Sequence, residues 1–327
     1  MPHNDQINGN EIADSIFING RIYTVDQNRS WAEAVAVKNG RFTAVGSTSV
    51  VSEQIGPATE TVDLDAIVTD RPVSLMSEDG HCDWVNSMAL AMAGITKDTV
   101  SPKGGIIEKD VLTGIPSGTI RETARDLIQN VLPPFSVEQI KGSIQNFMIA
   151  AGRVGITTAH DPLMILPDAR GQLNGFGANR HNIQAYSEMA QDGDLTIRIR
   201  GTVLTDPTAQ ASQIQRMVSA CAQRTDPLFQ LTGIKVFVNG AVEGGTAFLL
   251  EPYAHMPHTC GEPLWESENL KDLFATADLE KLQIHIHAIG DAAIRMALDA
   301  FEHARARNDK RDSRHLIIPQ RIDQNWG

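Results

Sequence analysis

The sequence predicts an α/β fold, because an all-β region near the amino terminus is followed by a longer region in which strands alternate with helices. In residues 13–65, short runs of alternating apolar and polar residues are separated by Asn-Gly pairs at Asn19 and Asn39, which is a strong hairpin signal. From about residue 70, each apolar strand-like run precedes a helical pattern, which indicates parallel strands joined by helices. Residues 1–12 are polar and are expected to be disordered.

The elements of the all-β region follow from short apolar and β-branched runs bounded by turn residues. A short helix is predicted within Gly46–Ile55, where the alternation stops. The predicted strands are Ser15–Gly20, Ala34–Gly40, Arg41–Gly46 and Glu60–Leu64.

Helix and strand signals alternate through the rest of the chain. Ser136, with Gln139 three residues later, predicts a capping box at the start of a helix. Apolar residues at helical spacing predict three more helices, at Ile214–Cys221, Leu270–Ala277 and Ile294–Phe301. The predicted strands are Gly155–His160, Leu195–Leu204, Leu231–Val238, Leu282–His287 and one that begins at Leu316.

The bulk composition narrows the class of protein. The chain has 327 residues, of which 42% are hydrophobic and 21% charged, as in ordinary soluble globular proteins. Its net charge of −12 argues against nucleic acid or an anionic membrane surface as the main partner. No apolar run approaches the ~18 residues needed to cross a bilayer. The three widely spaced cysteines, Cys82, Cys221 and Cys260, predict reduced thiols and a cytoplasmic location.

The most informative segment is an apolar strand that ends in His285 and His287. Side chains two residues apart lie on the same face of a strand, so both imidazoles point the same way. Gly290 and Asp291 follow at a strand-to-helix turn, where α/β barrels place their chemistry. The pair is interpreted either as a source of metal ligands or as hydrogen-bonded histidines of a barrel interior. His287 lies nearer the strand end and is the better ligand candidate.

Lys235 interrupts an otherwise apolar strand. It shares a face with Phe237, whereas Ile234, Val236 and Val238 share the other face. A lysine in such a strand is costly unless it is paired or modified. One interpretation is an edge-strand lysine that reaches solvent. The other is an amine that binds carbon dioxide and becomes a carbamate bridging two metal ions.

Three weaker signals have ordinary structural alternatives. His81 and Trp84 form a polar and aromatic cluster that is typical of a substrate pocket or of a helix start. Glu243 precedes a glycine pair that permits close approach to a ligand or simply a tight turn. His160, followed by Asp161 at a strand exit, is either a catalytic pair or a local turn.

Several of these segments, in this order, resemble a metal-dependent amidohydrolase of the branch that includes N-substituted formamide deformylases. The resemblance covers nearly all of residues 13–315, and several blocks in order are more specific than any single motif. The blocks are Asn19–Asp26, Ala34–Arg41, Asp79–Ser87, Gly155–Asp161, Gly233–Tyr253 and His287–Asp291.

The resemblance implies an incomplete (β/α)8 TIM barrel over residues 66–327 beside a small β-sandwich portion in residues 13–65. It implies a small-molecule amide substrate and one or two divalent metal ions, usually zinc, which activate water for attack on a carbonyl. Lys235 and His287 match two of the family's six metal ligands. The tentative substrate-binding residues are His81, Trp84 and Glu243.

The departures from the family pattern predict missing segments. The first-strand His-x-His expected after Asp63 is absent, Asn239 stands where aspartate is usual, and Pro319 replaces a metal histidine. The last two strands and the final aspartate have no counterpart before Gly327. Two hypotheses follow: a hydrolase of non-peptide C–N bonds, or a non-catalytic remnant, splice variant or mispredicted fragment.

Overall fold

The computed structural model describes the chain from residue 6 to residue 318, with several interruptions. The described ranges are 6–7, 12–18, 22–23, 31–32, 34–56, 59–62, 64–77, 80–110, 113–167, 173, 175–242, 245–254 and 256–318. The predicted disorder of residues 1–12 and the predicted turn at Asn19 fall mostly or wholly outside these ranges.

The chain divides into two compact units. The first comprises residues 1–101 and 106–121, and the second comprises residues 102–105 and 122–327. The boundary at residue 65 between a β-sandwich portion and a barrel stays a prediction.

A five-stranded sheet organises the first part of the first unit, in the order β1-β6-β5-β2-β7. Strands β2 and β7 are parallel, and the other neighbours are antiparallel. A separate antiparallel pair, β3 and β4, accompanies it. The second layer of the predicted sandwich is not established by these strands. The elements are β1 (Gln6–Ile7), β2 (Ser15–Phe17), β3 (Ile22–Tyr23), β4 (Trp31–Ala32), β5 (Ala34–Lys38), β6 (Arg41–Gly46), α1 (Thr48–Val51), a 3₁₀ turn (Ser52–Gln54) and β7 (Glu60–Val62).

The hairpin between β5 and β6 forms at the predicted Asn-Gly pair. Asn39 and Gly40 have φ values of 50° and 71°, and both central residues of a type I′ turn need positive φ. Lys38 pairs with Arg41 across the turn. Glycine adopts such a φ without strain and asparagine tolerates it, so these two residues define the register of the hairpin.

A second, four-stranded sheet follows in the order β10-β11-β9-β8. Its pairs β8–β9 and β9–β11 are antiparallel, whereas the sequence predicted parallel strands from about residue 70. The connection between β8 and β9 is too short for the crossover that parallel strands require. The elements are α2 (Leu64–Ile67), β8 (Ser74–Met76), β9 (Cys82–Val85), α3 (Ser87–Met92), β10 (Gly105–Lys109) and β11 (Pro116–Glu122).

The second unit contains the predicted parallel α/β core. Its five strands pair in chain order from β12 to β16, all parallel, and form a curled half-barrel. The Ser136–Gln139 capping box begins α5 as predicted. The elements are α4 (Arg125–Gln129), α5 (Val137–Arg153), β12 (Thr158–Met164), α6 (Asn182–Gln191), β13 (Arg198–Leu204), α7 (Ile214–Ala222), β14 (Phe229–Phe237), α8 (Ser267–Leu279), β15 (Gln283–His287), α9 (Asp291–Arg307) and β16 (Leu316–Ile318), with 3₁₀ turns at Gly177–Asn179 and Gln210–Gln213.

The main core lies between the helices and one face of this sheet. Ile234 and Val236 of β14 and Ile284 and Ile286 of β15 are all fully buried and belong to it. Burying each such side chain stabilises the fold by roughly 1.5–3 kcal/mol. Because successive side chains alternate in direction, this apolar face leaves the intervening residues of β14 and β15 for the opposite face.

The three cysteines are free thiols, and all are half-buried. Burial raises the pKa of the Cys221 thiol to about 11, and its side chain packs against the main core, as its position on an apolar helical face predicts. In the described part of the chain, no helix is long and apolar enough to cross a membrane.

A polar network holds the last described strand in place. The His315 Nδ1 atom lies 3.0 Å from the donating N–H of Ile284, and His315 Nε2 lies 3.2 Å from Asp278 Oδ1. The proton therefore resides on Nε2, which donates to the carboxylate. Arg311 Nε donates to the same oxygen at 2.8 Å, and Asn308 Nδ2 donates to Asp278 Oδ2 at 2.9 Å. This network joins β15 and β16 to the end of α8.

We predict that the protein loses stability as the pH falls below about 6.5, because this network contains His315. Burial lowers the pKa of His315 below its ordinary value of 6.5, so the unfolded chain binds the proton more readily and stability is lost as the pH falls through that value. Burial acts to raise the pKa of Asp278, but hydrogen bonding from Asn308 and the charge of Arg311 hold it below 3.8. Its contribution is therefore lost only in stronger acid.

Urea unfolding followed between about pH 8 and pH 4 tests this expectation. A His315→Gln variant should lose about 1 kcal/mol less stability over that range than the wild type. His303→Gln, on α9, is the matched control and should retain the wild-type slope. Identical slopes for all three proteins would contradict the role of His315.

Candidate functional site

The exits of β14 and β15 carry the predicted metal ligands. The two parallel strands pair so that Lys235 lies opposite His285 and Phe237 lies opposite His287. All four side chains lie on the face that the apolar core leaves open. The Lys235 Nζ atom is 4.5 Å from the centroid of the Phe237 ring, and the Phe237 and His287 ring centroids are 4.9 Å apart. The structure therefore places both predicted ligands against the ring of one phenylalanine.

Lys235 is 5% exposed. Among the residues that the structure describes, no hydrogen bond or ion pair reaches its Nζ atom, and the Phe237 ring is its contact. Burial lowers the pKa of this amine to about 7, because desolvation disfavours the charged form. The edge-strand interpretation is excluded, since β14 has neighbours on both sides. At neutral pH a substantial fraction of the Lys235 amine is therefore uncharged. The uncharged amine is the form that reacts with carbon dioxide.

His285 lies deeper than His287. It is 3% exposed, and its Nδ1 atom makes no hydrogen bond. Its ring meets the His160 ring edge-on, with centroids 4.9 Å apart. Burial, with the nearby charges of Lys235 and His160, lowers the pKa of His285 to about 3. His285 is therefore neutral and packed, and hydrogen bonding of Nδ1 does not account for its burial.

The His160–Asp161 pair has a structural use in β12. Asp161 Oδ1 accepts from the N–H of Leu163 at 3.0 Å, and Asp161 Oδ2 accepts from the Tyr186 hydroxyl at 3.1 Å. His160 Nε2 lies 3.4 Å from Thr202 Oγ1. Asp161 lies within β12 and not at its exit as predicted. Its carboxylate binds Leu163 and Tyr186 and not the histidine.

His287 lies at the end of β15 with its Nε2 atom 3.3 Å from Gly240 O. A carbonyl oxygen only accepts, so this contact requires the proton on Nε2 and leaves the in-plane lone pair on Nδ1. Metal-binding histidines commonly donate their second ring nitrogen to a backbone carbonyl in this way.

Asn239 connects the exits of the two strands. Its Nδ2 atom donates to Ile289 O, and its Oδ1 atom accepts from Ile289 N at 3.0 Å. The side chain is 1% exposed. An aspartate at this position has no N–H to donate. The departure from the family's aspartate therefore has a structural role here, which is to bridge both polar groups of one residue.

Sequence reasoning missed Glu122, which is the last residue of β11 and belongs to the second unit. Its side chain is buried, and its φ of 50° is unusual for a residue other than glycine. The Oε1 atom accepts from Ala241 N at 3.2 Å and from Thr246 Oγ1 at 2.8 Å. No spacing or motif marks this glutamate, because it sits among ordinary polar residues in the sequence.

The three tentative substrate-binding residues remain predictions. Trp84 lies on β9, opposite Leu75 on one side and Thr119 on the other, and is half-buried. His81 precedes the same strand and is also half-buried. Both belong to the first unit, whereas Lys235 and His287 belong to the second. Glu243 lies outside the described residues.

The two ligand candidates do not complete a metal centre. Within the described ranges, no group of three or more His, Cys, Asp or Glu side chains is placed to hold a metal ion. A catalytic zinc normally takes three protein ligands and one open position. Lys235 and His287 supply two donors, one fewer than such a zinc needs.

The fold of this chain is similar to that of two metal-dependent hydrolases of known structure. An uncharacterized metal-dependent hydrolase from Pyrococcus horikoshii OT3 aligns with a TM-score of 0.50 and 18% identity over 88% of this chain and 68% of its own. An uncharacterized metal-dependent hydrolase from Pyrococcus furiosus aligns with a TM-score of 0.51 and 19% identity over 89% of this chain and 70% of its own. The amidohydrolase family model matches residues 33–324. The chain belongs to the amidohydrolase family.

Curated relatives agree with this assignment. The Bacillus subtilis (strain 168) protein named "Putative amidohydrolase YtcJ" is 31% identical over 261 residues, which are 80% of this chain and 46% of that protein. The N-substituted formamide deformylase of Arthrobacter pascens is 23% identical over 80% of this chain and 46% of its own. Protein LONG AFTER FAR-RED 3 of Arabidopsis thaliana is 25% identical over 94% of this chain and 64% of its own length. The chain therefore spans about half of the length of two of these relatives and just under two thirds of the third.

We predict that replacing Lys235 by methionine stabilises the metal-free protein at neutral pH. The pKa of the folded lysine, about 7, lies below the ordinary 10.5, so the unfolded chain binds the proton more tightly between these values. Wild-type stability should therefore rise with pH across this window. The gain from Lys235→Met should be on the order of 3 kcal/mol near pH 7 and should vanish near pH 10.5.

Urea unfolding of both proteins across this pH range measures the difference. Lys310→Met, at an exposed position, is the control and should stay within about 0.5 kcal/mol of the wild type. Equal effects of the two substitutions would contradict a desolvated amine at Lys235.

We predict that Asn239→Asp lowers the free energy of unfolding by about 3 kcal/mol, because it removes a donor and buries a carboxylate. Thermal and urea unfolding report this loss. The exposed Asn146 of α5 offers a matched control, in which the same change should cost less than about 0.5 kcal/mol. A tolerated Asn239→Asp would show that the bridge to Ile289 contributes little.

Proposed function

We propose that this protein is a metal-dependent hydrolase of C–N bonds in small non-peptide amides, with Lys235 and His287 among its metal ligands. The observation that carries the proposal is the placement of these two residues on neighbouring parallel strands, one at the final residue of β15 and one close to the end of β14. Enzymes built on parallel barrels keep their reacting groups at this edge. The name of the formamide deformylase relative supports amides as the substrate class.

The proposal assigns a chemical role to each residue. The neutral Lys235 amine attacks carbon dioxide, an N–C bond forms, and the amine proton passes to solvent, which leaves a carbamate whose oxygens would be metal ligands. His287 would supply its Nδ1 lone pair while Nε2 remains on Gly240 O. A divalent metal held by these residues, zinc in most members of the family, would supply Lewis-acid chemistry toward a substrate carbonyl and bound water.

A second candidate follows from the ligand count. Two protein donors fall short of the three that a catalytic zinc usually has, and the described residues contain no larger cluster. A chain with the family fold and no catalysis is therefore the alternative to test.

Metal content and hydrolysis, measured on the same preparation, test the proposal. The wild type should contain near-stoichiometric divalent metal and release formate from a panel of N-alkyl and N-aryl formamides. Lys235→Ala and His287→Ala should each lower metal content about tenfold or more, with hydrolysis falling in parallel. His258→Ala, at an exposed histidine, is the control and should match the wild type.

A folded wild-type protein that contains no metal and hydrolyses none of the panel would overturn the proposal in favour of the non-catalytic alternative. Stoichiometric metal that survives both ligand substitutions would place the metal elsewhere and would remove Lys235 and His287 from the site.

A further inference from the structure

We infer that Glu122 is a positioning residue that acts on His287 through the single peptide group joining Gly240 to Ala241. The inference deepens the proposed function, because His287 is one of its two ligand candidates. Its geometry and its main test do not require a bound metal.

The contacts form a continuous chain of hydrogen bonds. Ala241 N is shared between two acceptors, Glu122 Oε1 at 3.2 Å and Thr246 Oγ1 at 3.0 Å. The carbonyl of the same peptide group, Gly240 O, accepts from His287 Nε2 at 3.3 Å. One peptide therefore carries a carboxylate at its N–H end and an imidazole at its C=O end.

The negative charge of Glu122 strengthens the far end of this chain. A carboxylate that accepts from an N–H makes a stronger hydrogen bond than a neutral oxygen. Hydrogen bonds in series polarise one another, so the carbonyl of the same peptide becomes a better acceptor. A stronger acceptor at Gly240 O favours the His287 tautomer with its proton on Nε2.

The arrangement is built into the loop. The space that a Cβ of Gly240 would need is occupied by Thr246 Oγ1 and Glu122 Oε1, so only glycine lets the carboxylate approach this peptide. Thr246 donates to the same carboxylate oxygen at 2.8 Å. The loop is closed by the bonds Gly240 N to Thr246 O and Thr246 N to Ala241 O.

The consequence for His287 is a defined ring. With the proton on Nε2, Nδ1 is the nitrogen that can accept a proton or bind a cation. Without a carboxylate on the same peptide, the hydrogen bond from Nε2 to the carbonyl would still form but would be weaker. In many metal sites a carboxylate contacts the metal-binding histidine directly. Here the carboxylate of Glu122 contacts His287 through one intervening peptide group.

Nuclear magnetic resonance of protein labelled with ¹⁵N-histidine tests the inference. Long-range ¹H–¹⁵N correlations distinguish the two tautomers, and the His287 signals are assigned by their loss in His287→Gln. In the wild type, His287 should carry its proton on Nε2, with slow exchange of that proton. In Glu122→Ala, exchange should accelerate about tenfold and the Nε2 resonance should shift.

Glu122→Gln separates charge from shape, because it retains an acceptor oxygen of the same reach. Its His287 exchange rate should fall between those of the wild type and Glu122→Ala. The control is Asp278→Asn, which removes another buried carboxylate of the second unit. It should alter the His315 signals and leave those of His287 unchanged.

An unchanged His287 spectrum in folded Glu122→Ala would overturn the inference. If that variant does not fold, Glu122→Gln decides, and wild-type His287 exchange in it would overturn the role of the charge. A Co²⁺ titration of the same proteins keeps the proposed function separate. A wild type that binds no Co²⁺ but shows the expected Glu122 dependence contradicts the metal site and supports the inference.

Discussion

The register between β14 and β15 is the constraint on which the rest of the site depends. Parallel pairing sets Lys235 opposite His285 and Phe237 opposite His287, while the alternate residues fill the core beneath the helices. A shift of one residue in either strand would exchange the two faces and bury the polar set in the core. The apolar residues thus fix the face of the sheet on which the polar side chains lie.

Much of this second unit could be predicted from sequence, because its strands and helices carry strong periodic signals. The capping box at Ser136, the helices α5, α7, α8 and α9 and the five parallel strands all follow such signals. Parallel pairing was expected from about residue 70, whereas the four-stranded sheet that begins at β8 has antiparallel pairs. The β8–β9 connection is too short for the crossover that parallel strands require.

The candidate site was predicted in part. Lys235 and His287 stand out because a charged or imidazole side chain interrupts an apolar strand. Glu122 does not stand out, since its burial depends on a contact with Ala241, which is far away in the chain. The role of Asn239 was equally hidden: the sequence shows a missing aspartate, whereas the structure shows an amide that satisfies both backbone groups of Ile289. A contact between two polar residues that are distant in the sequence leaves no periodic pattern, so the sequence alone does not predict it.

The turn at Asn39 and Gly40 has a chemical consequence of its own. An asparagine followed by glycine in an exposed, mobile backbone is the pairing at which succinimide formation and deamidation proceed fastest, because glycine does not hinder the attack of its own nitrogen on the side-chain amide. Both residues here are exposed, and the Asn39 N–H bonds to Asp14 at 2.7 Å. Ageing of the purified protein would add negative charge beside that aspartate, within the first unit. A more acidic charge variant in a stored sample therefore does not by itself report a carbamate on Lys235.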